Sequence, residues 1–147
     1  MKIKSAWVRQ AAVAFALLAA GVPAAAEAGQ VIVHIQGVRS DQGLVRIGVY
    51  GQDSAFPRSG RVAGQEIAAH RGEVVVTFED LAPGVYAIAI HHDEDGDGEF
   101  DTTLIGLPSE GYGFSNDAPV VFGPPDFDSA AIDVHDDGAT TALSVRY

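Results

Sequence analysis

Phe78-Glu79-Asp80-Leu81-Ala82-Pro83-Gly84-Val85-Tyr86-Ala87-Ile88-Ala89-Ile90 decides the fold. Apolar residues alternate up to Leu81, the chain turns at Pro83-Gly84, and alternation resumes through Tyr86, Ile88 and Ile90. A period of two on both sides of a turn predicts two antiparallel strands. A tyrosine just after such a corner commonly buries its ring and bonds its hydroxyl back to the loop backbone. Tyr86 is therefore read as a fold element and not as a catalytic phenol.

The same alternation recurs outward from this hairpin. Val31/Val33/Ile35, Val45/Ile47/Val49, Val74/Val76/Phe78, Ala130/Ile132/Val134 and Leu143/Val145/Tyr147 each mark one side of a short run. Asp41-Gln42-Gly43, Arg71-Gly72 and Asp137-Gly138 punctuate them as turns. A seventh, weaker strand is expected over 65–69, and a short helical turn over 53–63. With no capped amphipathic helix after the first residues, the expected class is all-β, a single antiparallel β-sandwich of about seven strands.

The final strand of the hairpin runs into Asp93-Glu94-Asp95-Gly96-Asp97-Gly98-Glu99-Phe100-Asp101. A calcium loop wants oxygen ligands at positions 1, 3 and 5, glycine at 6, a backbone carbonyl at 7 and an acid at 9. Asp93, Asp95, Asp97, Gly98, Glu99 and Asp101 fill those slots in order, and Phe100 offers an apolar anchor at position 8. Position 12 is Leu104, so the last acid must come from elsewhere. Two carboxylates about 4 Å apart repel by roughly 1 kcal/mol even in water, and a hard divalent cation relieves that repulsion. Calcium fits better than magnesium, whose small octahedral shell keeps its waters. The competing reading is a solvated acidic turn.

Residues 104–125 form a long segment with Gly106, Gly111, Gly113, Gly123, Pro108, Pro119, Pro124 and Pro125, which predicts an irregular loop. Tyr112, Phe114 and Phe122 give it apolar area to fold over the acidic stretch or to bind a glycan, peptide or protein. Glu110, Asn116 or Asp117 from this segment could supply the missing oxygen ligand.

Residues 1–26 read as a signal peptide. Lys2, Lys4 and Arg9 precede an apolar run over 11–22 that is too short to span a bilayer, and Ala24-Ala25-Ala26 offers a cleavage site. The expected product, 27–147, is one sandwich domain in the periplasm or secreted. No cysteine is present, so neither disulfides nor a lipidated cysteine can hold it. Cleavage removes three of the nine basic residues and no acid, moving the formal charge from −11 to −14. Such a chain repels nucleic acid and anionic lipid, and no later stretch is apolar enough to insert in a membrane.

Other chemistry finds less support. His91 and His92 invite a transition-metal enzyme, but consecutive strand residues point to opposite faces, and His92 shares the parity of Ile88 and Ile90. A histidine bracing the acidic loop is the simpler reading. There is no cysteine nucleophile and no Gly-x-Ser-x-Gly elbow, and no acid, base and pocket can be assigned, so a non-enzymatic role is expected.

The run from Phe78 through His91-His92-Asp93 to Gly98, then Gly111-Tyr112-Gly113-Phe114-Ser115-Asn116 and Phe122-Gly123-Pro124-Pro125, resembles a bacterial uncharacterised family, domain of unknown function 2141. The resemblance runs from about Val31 to Tyr147. It implies an exported immunoglobulin/transthyretin-like sandwich with no established activity. Members of that family commonly carry asparagines where this chain has Asp95 and Asp97, which makes this loop the more anionic.

Overall fold

The computed structural model describes residues 29–147, so the expected leader over 1–26 lies outside the described residues. Eight strands follow in order: β1 Gly29–Val38, β2 Leu44–Ala55, β3 Ser59–Ala68, β4 Gly72–Leu81, β5 Gly84–Asp93, β6 Gly111–Phe114, β7 Ala131–Val134 and β8 Ala139–Ser144. A 3-10 turn, Ser115–Asp117, follows β6, and a one-turn helix, α1 Phe127–Ala130, precedes β7. The strands make two sheets, one ordered β4-β1-β8 and one ordered β3-β2-β5-β6, with β7 also pairing β5. The protein is an all-β sandwich.

The alternation places the core between the sheets. Val31, Val33 and Ile35 of β1, Val45, Ile47 and Val49 of β2, and Leu143 of β8 are each 1% exposed or less, and Ile88 and Ile90 of β5 close the same cluster. Each such side chain contributes roughly 1.5–3 kcal/mol by leaving water. Most pairings are antiparallel, but β8 runs parallel to β1. The chain reaches β8 from β7, which lies in the opposite sheet, so this pair needs no tight hairpin.

Three local expectations give way. Residues 53–63 hold no helical turn: β2 continues to Ala55, turns at Phe56, Pro57 and Arg58, and returns as β3. β3 is ten residues long and not confined to 65–69. It has only one neighbour and buries little, so its alternation is faint. The segment 104–125 is not irregular throughout, because Gly111–Phe114 is a strand paired to β5. The glycines there permit close approach. A Cβ on Gly111 would stand 2.5 Å from the Tyr147 ring, and one on Gly113 2.7 Å from the Ser144 carbonyl oxygen.

At the corner, the Tyr86 hydroxyl donates to the Ala82 carbonyl at 2.8 Å while its ring packs on the core. The bond spans the β4–β5 turn and fixes the angle at which β5 enters the sheet. Tyr86→Phe keeps the ring and removes the bond. Chemical denaturation should show a loss of about 1 kcal/mol, and an unchanged midpoint would assign the corner to the Pro-Gly turn alone.

Candidate metal centre

The centre begins where β5 ends. Asp93 is 0% exposed although it is charged, and three donors explain how it is tolerated. Arg46 Nε, from the neighbouring strand β2, donates to Oδ2 at 2.6 Å, the Gly96 amide donates to Oδ1 at 2.8 Å and the Gly98 amide to Oδ2 at 3.0 Å. Burial opposes ionisation of Asp93, but the Arg46 bond and the two amides outweigh it and hold the carboxyl below its ordinary range. Arg46 also pairs with Glu66 of β3, so one chain of charges crosses three strands. Two glycines let the backbone curl around the carboxylate, with φ of +77° at Gly96 and +83° at Gly98.

The other loop acids are placed by short local turns. Asp95 Oδ1 accepts from the Asp97 amide at 3.1 Å, and Asp97 Oδ1 accepts from the Glu99 amide at 2.7 Å. Glu94 turns away to Arg39 and Ser40, and the Arg39 bond leads the influences that lower its pKa. Three groupings of ligating atoms fall within 4.8 Å: Asp93 with Asp95 and Asp97, Asp95 with Asp101 and Glu110, and His91 with Asp93 and Glu110. Asp93, Asp95 and Asp97 thus fall in one group, Asp101 joins only Asp95 and Glu110 in another, and the Glu99 side chain joins none of these groups. Asp101 titrates above its ordinary range, first through burial and then through the charges of Asp97, Asp95, Glu110 and Glu99.

Of the three acids or amides considered for the twelfth slot, Glu110 reaches the loop. It is 5% exposed, accepts from the Glu94 amide at 3.0 Å and the Asp101 amide at 3.2 Å, and lies 2.6 Å from His91 Nε2. Asn116 and Asp117 are engaged elsewhere, with Ala131 and Ser144. The 104–125 segment does return over the acidic stretch. Thr103 and Leu107 close a small hairpin, and the Ser109 amide donates to the Asp101 carbonyl at 3.0 Å.

The two histidines lie on opposite faces of β5 and have different partners: His91 meets Glu110, and His92 meets groups outside the acidic loop. His92, 0% exposed, sets Nε2 2.9 Å from the Gln42 carbonyl and Nδ1 2.7 Å from the Tyr147 hydroxyl. The carbonyl can only accept, so Nε2 carries hydrogen and, in the neutral ring, Nδ1 accepts from Tyr147. Both nitrogens are thereby occupied, which leaves His91 as the histidine near the acids. Phe100 packs edge-on against His91 at 5.2 Å and Tyr112 at 6.1 Å, as expected for an anchor at position 8. Of the aromatics in the long segment, Phe114 is 8% exposed, Tyr112 is half-buried and Phe122 is 104% exposed, so Phe122 packs on nothing.

Sequence reasoning missed Arg46, whose role depends on the β2–β5 register that pairs it with His91. It also missed Gly43, where a Cβ would stand 1.9 Å from the Asp93 carbonyl oxygen. The Asp-Gln-Gly turn was legible, but not what it packs against.

Asp93 has a folded pKa below its unfolded one. Its stabilisation is complete above the ordinary carboxylate value of about 3.9 and is lost as pH falls through the depressed one. In chelator at pH 7, Asp93→Asn should cost about 2 kcal/mol, the worth of a charged hydrogen bond lost in a buried place. The cost should shrink as pH is lowered beneath 4. Equal loss at pH 7 and pH 3 by denaturant titration would show that Asp93 acts through shape and not charge.

Residues 33–142 match the family described as an uncharacterised protein conserved in bacteria (DUF2141). No curated protein and no solved structure matches the chain. The family match covers the core strands, the acidic loop and Glu110 together, and the chain belongs to this family.

Proposed function

We propose that the protein is an exported, non-enzymatic accessory module in which calcium orders the loop Asp93–Asp101 and the segment 104–125 presents a binding surface. One observation carries this reading: Asp95 belongs both to the Asp93–Asp97 group and to the group with Asp101 and Glu110. Glu110 thus offers the acid that position 12 of the calcium pattern lacks. Among the described residues no protein donor meets Oδ2 of Asp95 or of Asp97, and calcium takes six to eight oxygens from such a mixture of carboxylates, carbonyls and water. Asp93 then serves mainly to hold the loop, since Arg46 and two amides already engage it.

Exported modules meet calcium at high concentration, so a Kd on the order of 10⁻⁴ to 10⁻³ M suffices. Calorimetric titration should show one saturable site. Calcium at ten times Kd should add about 1.4 kcal/mol to folding, read as a raised Tm. Asp97→Ala, at an exposed position, should abolish both effects without unfolding the protein; Glu110→Gln should weaken binding. Absence of saturable binding in the unaltered protein would leave an acidic turn closed by Arg46.

The grouping of His91, Asp93 and Glu110 favours one rival, a transition-metal centre. Metal analysis of tag-free protein prepared without chelator should find no zinc, copper or iron. A stoichiometric transition metal that disappears in His91→Ala would replace the calcium reading.

A further inference from the structure

The outer face of the larger sheet is built in rows. Register aligns Gly64, Gly48, Ala89 and Phe114 across β3, β2, β5 and β6. On one side runs the row Arg61, Tyr50, Ala87; on the other runs Glu66, Arg46, His91, Tyr112. Gly64, Gly48, Ala89 and the adjacent Ala87 are small, so this face is low between the larger side chains of the rows and forms a trough. Arg61 lies across its β3 end, where a Cβ on Gly48 would meet Arg61 Cδ at 3.1 Å and one on Gly64 would meet Nε at 2.8 Å.

The trough is the floor of a cleft of about 730 Å³, within the size range of small-molecule sites. Phe100, Leu107, Phe114 and the exposed Phe122 also line it, and the Tyr50 ring lies over Gly48. Its charge is opposite to that of the chain. Residues 29–147 hold six arginines against nineteen acids. Three of those arginines, Arg46, Arg58 and Arg61, line the cleft, and no carboxylate does. Arg46 is neutralised by Asp93 and Glu66. Arg58 and Arg61 have no carboxylate partner among the described residues.

We propose that this cleft binds a small amphipathic organic anion, with its apolar body against Ala89 and the Tyr50 ring that covers Gly48, and its carboxylate at Arg58 and Arg61. An apolar trough with unpaired guanidinium groups at one side matches that chemistry: the body is desolvated along the floor and the head meets planar, paired N–H donors. The inference rests on reading the 104–125 segment as a binding surface and gives that surface a ligand class.

Decanoate, decanol and decyltrimethylammonium share an apolar body and differ in charge. In calorimetry with chelator present, decanoate should bind saturably and at least tenfold more tightly than the other two. Arg61→Gln, at an exposed position that does not endanger the fold, should weaken decanoate about tenfold and leave decanol unchanged. Ala89→Leu, checked for an intact melting transition, should abolish binding of both by filling the floor. Equal binding of the three compounds, or decanoate binding unmoved by Arg61→Gln and Arg58→Gln together, overturns the proposal. Failure of decanoate to bind alongside a concentration-dependent dimer that Phe122→Ser dissolves also overturns it, and assigns the cleft to a second copy. Loss of the decanoate result with a retained calcium response removes this inference alone, and the reverse pattern removes the calcium loop alone.

Discussion

A buried carboxylate organises this end of the molecule. Taking Asp93 out of water would cost several kcal/mol if nothing met it, so its burial is possible only with Arg46, Gly96 and Gly98 in their observed places. Each partner then becomes a constraint. Arg46 fixes the register of β2 against β5, since a slip of one residue would move the guanidinium to the core face. The glycine amides require a curl of positive φ, which turns the chain sharply off the strand. Gly43, packed against the Asp93 carbonyl, ties the turn between β1 and β2 to the same point. Two distant connections are therefore one structural unit.

The rest of the architecture follows from the two unequal faces of the larger sheet. Its inner face is filled by branched side chains against the smaller sheet. Its outer face carries Gly48, Ala87 and Ala89 at its centre, too small to make a core of their own. A second cluster forms where Phe56, Phe114, Val120 and Phe127 lean over them. Phe56 sits within 5.3–6.1 Å of Tyr50, Phe114 and Phe127, which explains why the β2–β3 hairpin reaches past the inner core before it turns. The covering is incomplete: Leu107, Val121 and Phe122 line a cleft there and stand exposed to solvent. Large apolar side chains gathered this way on an acidic surface are more consistent with a binding rim than with scattered surface residues.

Much of the inner architecture was legible because burying one face of a strand writes a period of two into the sequence. β1, β2, β4 and β5 announced themselves in this way, and so did the Tyr86 corner; Ala130, expected on one strand face with Ile132 and Val134, instead ends α1 and packs in the second cluster. The acidic loop stood out for a different reason, since its carboxylates are contiguous in the sequence. What stayed hidden depends on cross-strand neighbours. β6 buries itself through two glycines, which read as loop, because the feature they accommodate is the Tyr147 ring and the Ser144 carbonyl. Arg46 carries no local signal, because the carboxylate it meets lies on the neighbouring strand. Glu110, Asn116 and Asp117 could not be ranked by sequence distance, and only the return of the chain at Ser109 singles out Glu110. The cleft was invisible because its floor is a row across four strands.

The acidic loop and the arginine-lined cleft adjoin, and two residues belong to both regions. Arg46 closes the acidic loop through Asp93 and lines the cleft; Phe100 is the eighth residue of the loop and also a wall of the cleft. A ligand can shift a loop only if it contacts the loop's alternative states unequally. Phe100 is placed to meet that condition, because its ring rests on His91 of β5 and Tyr112 of β6. Under the two proposals, a cation that gathers Asp95, Asp101 and Glu110 therefore also sets the cleft wall. By the reciprocity of linked binding, an occupant resting on Phe100 must tighten the cation by the same factor. A carboxylate head group repelled by the acids would instead oppose it, and the placement of Arg58 and Arg61 on the hairpin side, away from the loop, is the arrangement that keeps those charges apart.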